Sequence, residues 1–369
     1  MGKVIKSHFY VGTQVDRPND GIYGLWLDED TGALSQAGIA AAIERPTWLL
    51  RHPQLNVLYT VSEVGNRDAR EGRLHAFRIG EDGALATIND VPAGGGGPTH
   101  LEIDREGLAL FSANFGGGQA VCAPLAPDGT LASNISIRKH EGSGPHRRQK
   151  SPHPHGVTLD PTGRFLLVPD MGADRIFIHR FDAENVGFVD NQTQEVELPA
   201  GSGPRLTLFG LGGRHVYLLS ELSAEIFVFE WNGGEGTMEP VQTLALDDVG
   251  GDGDPSAAAF VMSEDGRFLY ASNRRTHAIQ AYAISESDGR LRHIQTIACG
   301  GEKPWSAAIS PSGSWFLVTN QASDNVAVFK RDEESGMLES VEGATAQIPT
   351  PTCVAFSGLR GQLLAGADV

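Results

Sequence analysis

Apolar and polar positions along the chain fall into short alternating runs broken by turn residues. In HGVTLDPTGRFLLVPDMGADRIFIHRF, which begins at His155, an apolar run over 157–159 precedes the turn Asp160-Pro161-Thr162-Gly163; a second run covers 165–168 and a third, after another turn, 176–181. Period-two alternation bounded by Asp, Pro and Gly predicts β-strands joined by tight turns. The phrase returns as SAAAFVMSEDGRFLYASNRRTHAIQAYAIS from Ser256 and as WSAAISPSGSWFLVTNQASDNVAVFKRD from Trp305. After the third run comes a further turn, such as Asp82-Gly83-Ala84-Leu85, Asp128-Gly129-Thr130-Leu131 or Asp288-Gly289-Arg290-Leu291, which predicts a fourth strand. No amphipathic helix of useful length competes with this pattern.

A proline opens each phrase, at Pro46, Pro98, Pro154, Pro204, Pro255, Pro304 and Pro351, with intervals of 52, 56, 50, 51, 49 and 47 residues. One four-stranded antiparallel sheet cannot bury both faces alone, so units of this length stack radially as propeller blades. The expected fold is all-β: a seven-bladed β-propeller, four antiparallel strands per blade, forming a single domain over 1–369. Residues 8–35 read as the later strands of a blade that lacks its Pro-led first strand, and 351–364 supply that strand. Pairing of the N- and C-terminal segments is therefore expected to close the ring and remove exposed sheet edges.

Composition supports many turns, with 46 Gly and 20 Pro beside 40% hydrophobic residues, and excludes a low-complexity chain. The 29 Lys+Arg against 46 Asp+Glu give a net charge of −17, a field that opposes nucleic acid and anionic membrane surfaces. An anionic ligand must then be met by a local basic patch. No apolar run reaches the ~18–20 residues of a membrane span, and MGKVIKSHFYVG lacks the apolar stretch of a signal peptide, so a cytoplasmic location is expected. Cys122, Cys299 and Cys353 have no CxxC partner and read as small buried apolar residues.

The repeat also locates a candidate site. The first strand of each blade starts just after its proline, and the second ends 16–18 residues later on the same side, because the two are antiparallel neighbours. Innermost strands line the central channel, so one channel mouth should collect Thr47 with Glu63, Thr99 and His100 with Asn114, and His155 with Asp170. Arg205 with Glu221, Ser256 with Asn273 and Arg274, and Trp305 with Asn320 and Gln321 complete the ring. Polar residues that merely satisfy strand ends around a water-filled channel are the plain alternative. A purely structural ring, however, has no reason to vary His, Arg and Glu from blade to blade.

The 56-residue interval holds a basic loop, with Lys139, His140, His146, Arg147, Arg148, Lys150 and His153 leading into His155. Such a loop can receive a carboxylate or phosphate through charge-assisted hydrogen bonds, the alternative being an ordinary solvated loop. His153 and His155 form an HxH pair without a third ligand nearby, so neither a metal site nor a cofactor is expected. The run Gly94-Gly95-Gly96-Gly97 is followed by no helix and is expected to be a loop rather than a phosphate cradle. There is no GxSxG elbow, and Cys122 falls in a third-strand region away from the mouth.

The phrases SPHPHGVTLDPTGRFLLVPDMGADRI, GSGPRLTLFGLGGRHVYLLSELSAEIFVFE, DGRFLYASNR and PSGSWFLVTNQASDNVAVF resemble the lactonase family of seven-bladed propellers. That family includes propeller-type 6-phosphogluconolactonases, bacterial sugar-acid lactonases and fungal carboxy-muconate cyclases. The resemblance runs from Phe9-Tyr10-Val11-Gly12-Thr13 to the final blade and implies a catalytic set of His155, Arg205, Glu221 and Arg274, all already placed at one mouth. Glu63, His100, Arg148, His153 and Asp170 are the expected substrate contacts from the same ring and loop. Two departures from the family pattern, Leu206 in place of a His and Trp305 in place of an Arg, remove polar or cationic groups from the rim. Phosphate recognition would then fall to Arg147, Arg148 and Lys150.

Hydrolysis of a lactone needs an activated water, stabilisation of the developing oxyanion and a proton for the leaving alkoxide. His155 suits acid–base work with a reference pKa of about 6.5. Arg205 or Arg274 can hold the oxyanion or a substrate anion, and Glu221 can orient them or act as base; residue type alone does not divide the base role between His155 and Glu221. The expectation is a metal-independent lactonase acting on a small anionic sugar-acid lactone, 6-phosphogluconolactone or a related aldonic or aldaric lactone. A muconate-type lactonising cyclase and a non-catalytic protein-binding propeller are the alternatives, the latter requiring a flat face with aromatic and Arg anchors. Mouth residues are expected to contribute little to core packing.

Overall fold

The computed structural model describes residues 4–17, 19–246 and 254–363. Each Pro-led phrase is the innermost strand of a four-stranded antiparallel sheet, and seven such sheets form the ring. Blades 2 to 7 span residues 49–92, 98–139, 158–197, 204–245, 257–298 and 304–347. Blade 1 is built from both ends of the chain, with Pro351–Leu363 innermost against Val4–Thr13, then Gly21–Asp28 and Leu34–Ala42. The expected closure is thus present; residue 364, at the end of the predicted closing strand, lies outside the described residues, as do 1–3 and 365–369. No helix occurs among the described residues.

Alternation decides what each strand buries. Second strands such as Trp315–Asn320 and Phe165–Asp170 are buried along their whole length because blades cover both faces. The apolar layers lie between blades. Trp315, Leu317, Val326 and Val328 of blade 7 pack on Phe9, Val11, Leu25 and Leu27 of blade 1, and each fully buried large side chain contributes about 1.5–3 kcal/mol. Cys122, Cys299 and Cys353 are free and buried, as the sequence predicts.

A polar latch repeats at these interfaces. The hydroxyls of Tyr10, Tyr59, Tyr217 and Tyr270 donate to the carbonyls of Gly83, Gly129, Gly289 and Gly336 in the following blade, at 2.7–2.9 Å. These glycines close the Asp-Gly and Ser-Gly turns with φ of 68–87°, a conformation that disfavours any side chain. At the closing interface Trp315 takes the tyrosine's place, its Nε1–H donating to Glu29 O at 3.0 Å.

Two local features depart from the uniform repeat. The first strand of blade 4 is only Thr158–Leu159, preceded by a lone bridge between Pro154 and Asp170. The turn at Asp128-Gly129 closes a small bridge between Leu125 and Leu131, and the fourth strand of blade 3 starts later, at Ser136–Lys139. The first directly follows the inserted 139–155 loop; the second lies at the opposite end of its blade.

Candidate active site

Two backbone devices aim side chains into one channel mouth. The first is a β-bulge just after the proline: the registers of blades 3, 5 and 7 skip Thr99, Arg205 and Trp305, which have no cross-strand partner. A bulged residue is re-aimed out of the sheet's alternation. The second is the step past the second strand. That strand ends at Thr13, Ser62, Asn114, Asp170, Ser220, Asn273 and Asn320, all buried. With a side-chain period of two, the next residue turns the other way. Gln14, Glu63, Phe115, Glu221 and Arg274 accordingly line a cleft of about 760 Å³ over the channel.

Glu221 is the hub of this cleft. Its Oε2 accepts from Arg205 Nη1 at 2.5 Å, and its Oε1 accepts from Arg148 Nη1 at 2.6 Å and Arg274 Nη2 at 2.8 Å. Burial alone would raise the Glu221 pKa, but Arg274, Arg205 and Arg148 outweigh it and hold the carboxyl well below the ordinary 4.5. Burial brings Arg205 down to about 10, with Glu221 opposing the shift, so the guanidinium stays cationic at neutral pH. Arg205 Nε also donates to Ala258 O at 3.2 Å and Arg274 Nη2 to Ala257 O at 3.3 Å, so both cations are fixed before any ligand arrives. The Trp305 ring lies 5.7 Å from the Arg205 guanidinium and 4.7 Å from that of Arg274. The aromatic residue at the position of the missing rim cation therefore supports the remaining two.

His155 touches the same cluster. Its Nε2 meets Arg205 Nη1 in a short contact and lies 3.9 Å from Glu221 Oε2. A guanidinium offers only donors, so Nε2 must be the acceptor, which puts the proton on Nδ1. That Nδ1 is buried and has no partner among the described residues. Burial first, then Arg205, hold His155 well below its ordinary 6.5, and the ring is neutral at physiological pH. His153 stacks on Phe115 at 4.4 Å, with its Nδ1 donating to Phe115 O at 2.8 Å.

Below the cleft lies a smaller cavity of about 60 Å³ that shares the Glu63, Thr99, His155, Arg205 and Trp305 walls. His100 faces it, packed on Trp48 at 4.1 Å, with Nδ1 accepting from Val157 N–H at 3.3 Å and with burial lowering its pKa to about 3. Leu206 lines this inner cavity too. The structure thus brings His155, Arg205, Glu221, Arg274, Glu63, His100, Arg148 and His153 together.

Asp170 does not join them, which corrects the expectation of a substrate contact. It occupies the buried strand-end position: Oδ1 accepts the N–H groups of His153, Gly172 and Ala173 at 2.6–3.1 Å, and Oδ2 meets His140 Nδ1 at 2.8 Å. His140 likewise leaves the basic loop for the interior, its Nε2 3.0 Å from His179 Nε2. The plain alternative also holds for Asn114 and Asn320, whose amides donate to the carbonyls of Ala93 and Cys299. Gly94-Gly95-Gly96-Gly97 is a loop ahead of the blade 3 first strand, as expected. Gln14, Phe115 and Asn66 were not anticipated at the mouth; the one-residue offset past the strand end is the signal that identifies the first two.

The family described as lactonase, 7-bladed beta-propeller, matches residues 8–356. The chain belongs to this lactonase family. The 6-phosphogluconolactonase of Bacillus subtilis (strain 168) is 28% identical over 349 residues, covering 94% of this chain and 97% of that one. The 6-phosphogluconolactonase of Serratia proteamaculans is 31% identical over 320 residues, 86% of this chain and 90% of that one. Among solved structures, the periplasmic gluconolactonase of Pseudomonas aeruginosa superposes with a TM-score of 0.88 at 31% identity, covering 96% of this chain and 99% of that one. Within this lactonase the arginine–carboxylate hub sits at the floor of the large cleft, where a ligand reaches it from solvent.

Proposed function

We propose that this lactonase hydrolyses the lactone ring of a sugar acid, with 6-phosphogluconolactone or a related aldonic lactone as substrate. The observation that carries the reading is the Glu221 carboxylate fixing Arg148, Arg205 and Arg274 at the floor of a concave cleft. Oriented cations in a water-poor pocket stabilise an oxyanion far better than mobile ones in bulk water. Arg205 and Arg274, both nearly buried, take the developing charge on the carbonyl oxygen; Glu221 keeps them in place. His155 stays neutral and packs its Nε2 against Arg205, helping to hold that cation in place. The relatives named 6-phosphogluconolactonase and gluconolactonase support the same reaction class. A protein-binding face would instead be flat and aromatic, and here the ionisable groups lie in a cleft.

Purified protein should hydrolyse gluconolactone or its 6-phosphate well above the spontaneous rate, in the presence of a chelator. Arg205→Ala and Arg274→Ala should each lower kcat/KM by about 10²-fold or more. Wild-type protein that turns over none of a panel of phosphorylated and unphosphorylated aldonic and aldaric lactones would refute the reading.

A further inference from the structure

Glu63 and Glu221 occupy the same repeat position, one residue past the second strand, in blades 2 and 5. Their surroundings differ sharply. Both oxygens of Glu221 are taken by guanidinium groups, which leaves it too weakly basic to accept a proton from water. Glu63 is only 9% exposed, and among the described residues its carboxylate makes no ion pair. Oε1 accepts the Asn66 amide at 2.6 Å, and the Thr47 hydroxyl lies beside the carboxylate. The adjacent Arg45 is turned away, giving its Nε–H to the Glu63 main-chain oxygen at 2.9 Å and pairing with Asp16 at 3.3 Å.

Glu63 also stands at the junction of the two cavities, on walls shared with His155 and Arg205. The inner cavity of about 60 Å³ is roomy enough for water, and among its apolar walls Glu63, Thr99, His155 and Arg205 offer polar groups. A water held there would sit between the Glu63 carboxylate and Arg205. We propose that Glu63, rather than Glu221 or His155, is the general base of the lactonase, a role that rests on the hydrolytic reading above. The Glu63 carboxylate takes one proton from water as the water oxygen bonds to the lactone carbonyl carbon. The carbonyl π pair moves onto oxygen and is held by Arg205 and Arg274. Collapse of the tetrahedral intermediate breaks the ring C–O bond, and protonated Glu63 returns the proton to the leaving alkoxide, so the enzyme ends unchanged. Burial raises the proton affinity of Glu63 above that of an ordinary carboxylate, with Thr47, Arg45, Asn66 and Arg205 partly opposing it. A pair of carboxylates driven in opposite directions is the pattern that separates a base from an electrostatic anchor. The charged or titratable groups around Glu63 are Arg45, Arg205, His100 and His155.

The test compares wild type with Glu63→Gln, Glu63→Ala and Glu63→Asp on the best lactone found. Glu63→Gln should lose kcat by about 10²-fold or more with KM changed less than about threefold, and its residual rate should lack the acid limb of the wild-type pH profile. Added formate should restore part of the Glu63→Ala rate, which a purely structural residue would not allow. If Glu63→Gln fails to fold, Glu63→Asp serves instead, expected to keep the acid limb at reduced kcat. A Glu63→Gln enzyme within threefold of wild-type kcat, a loss confined to KM, or an acid limb unchanged in the variants overturns the assignment and leaves the lactonase reading intact. A wild-type protein inactive on every lactone overturns that reading and this proposal together.

Discussion

Arg205 Nη1 and Glu221 Oε2 lie 2.5 Å apart, with only 4% and 2% of the two side chains exposed. The bulge after Pro204 delivers the arginine and the step past Ser220 delivers the glutamate, so one blade supplies both halves of a desolvated ion pair. Arg274 of the next blade and Arg148 of the inserted loop share the carboxylate. One anion thus holds three cations, and the surplus positive charge is directed into the cleft of a chain whose net charge is −17.

Glu221→Ala should lower stability by about 3–5 kcal/mol, because it leaves buried guanidinium groups facing one another without a counter-charge. This differs from the expectation that mouth residues matter little to folding, which suits half-exposed Arg148 but not the buried pair. Urea unfolding of the purified variant measures it. A change under about 1 kcal/mol would show that the cluster relaxes into solvent when its carboxylate is removed.

The pH dependence of kcat/KM should carry no histidine inflection. His155 is held neutral well below 6.5 by burial and Arg205, so its charge does not change between about pH 6 and 8. Activity should instead rise with pH as Glu63 loses its proton, with a midpoint above the ordinary 4.5 since burial raises that group. An inflection near 6.5 that disappears in His155→Gln would place a titrating imidazole in the mechanism.

How far these features were readable without coordinates depends on whether they follow the repeat. The ring closure did, because seven prolines at near-constant spacing and a blade split between the termini leave few other topologies. Arg205, Glu221 and Arg274 were also legible, since strand pairing alone places them at one mouth. Asp170 shares the strand-end register in sequence, yet period-two alternation turns that position into the sheet, and in blades 2, 3, 5 and 6 it is the next residue that lines the cleft. Glu63 was legible as a mouth residue but not as a distinct carboxylate, for its isolation depends on where Arg45 points. The capture of Glu221 by Arg148 depends on the path of a non-repeating loop, which no periodicity encodes.

That loop bears on substrate choice. It folds over the mouth far enough for Arg148 to reach Glu221 and for Arg147 and Lys150 to line the cleft. The cleft walls carry eight Lys and Arg against four Asp and Glu, a surplus suited to a phosphorylated substrate despite Leu206 and Trp305. The 6-phosphate of gluconolactone should therefore improve kcat/KM. Arg148→Ala should raise KM for the phosphorylated form by about tenfold, the loss of one charge-assisted contact, and affect unphosphorylated gluconolactone less. Equal effects on both substrates would assign Arg148 to the lactone end of the cleft.

A last prediction concerns Glu102, two residues beyond His100 on the innermost strand of blade 3 and so on the same channel-facing side. Its Oε1 accepts the Ile103 N–H at 3.2 Å, and burial pushes its pKa up to about 7. A carboxyl whose folded pKa exceeds the unfolded 4.5 binds its proton more tightly in the folded state. Below about pH 4.5 it is protonated in both states and has no differential effect. As pH rises through 7 the folded protein must either keep a proton that the unfolded chain has released or hold a desolvated charge, and stability falls. Glu102→Gln carries the shape of the protonated form at every pH, and subtracting wild type from variant cancels the other ionisable groups. The two proteins should unfold alike near pH 4.5, with the variant more stable by about 3 kcal/mol at pH 8. A variant no more stable than wild type at pH 8 would mean that water entering the channel already solvates the carboxylate.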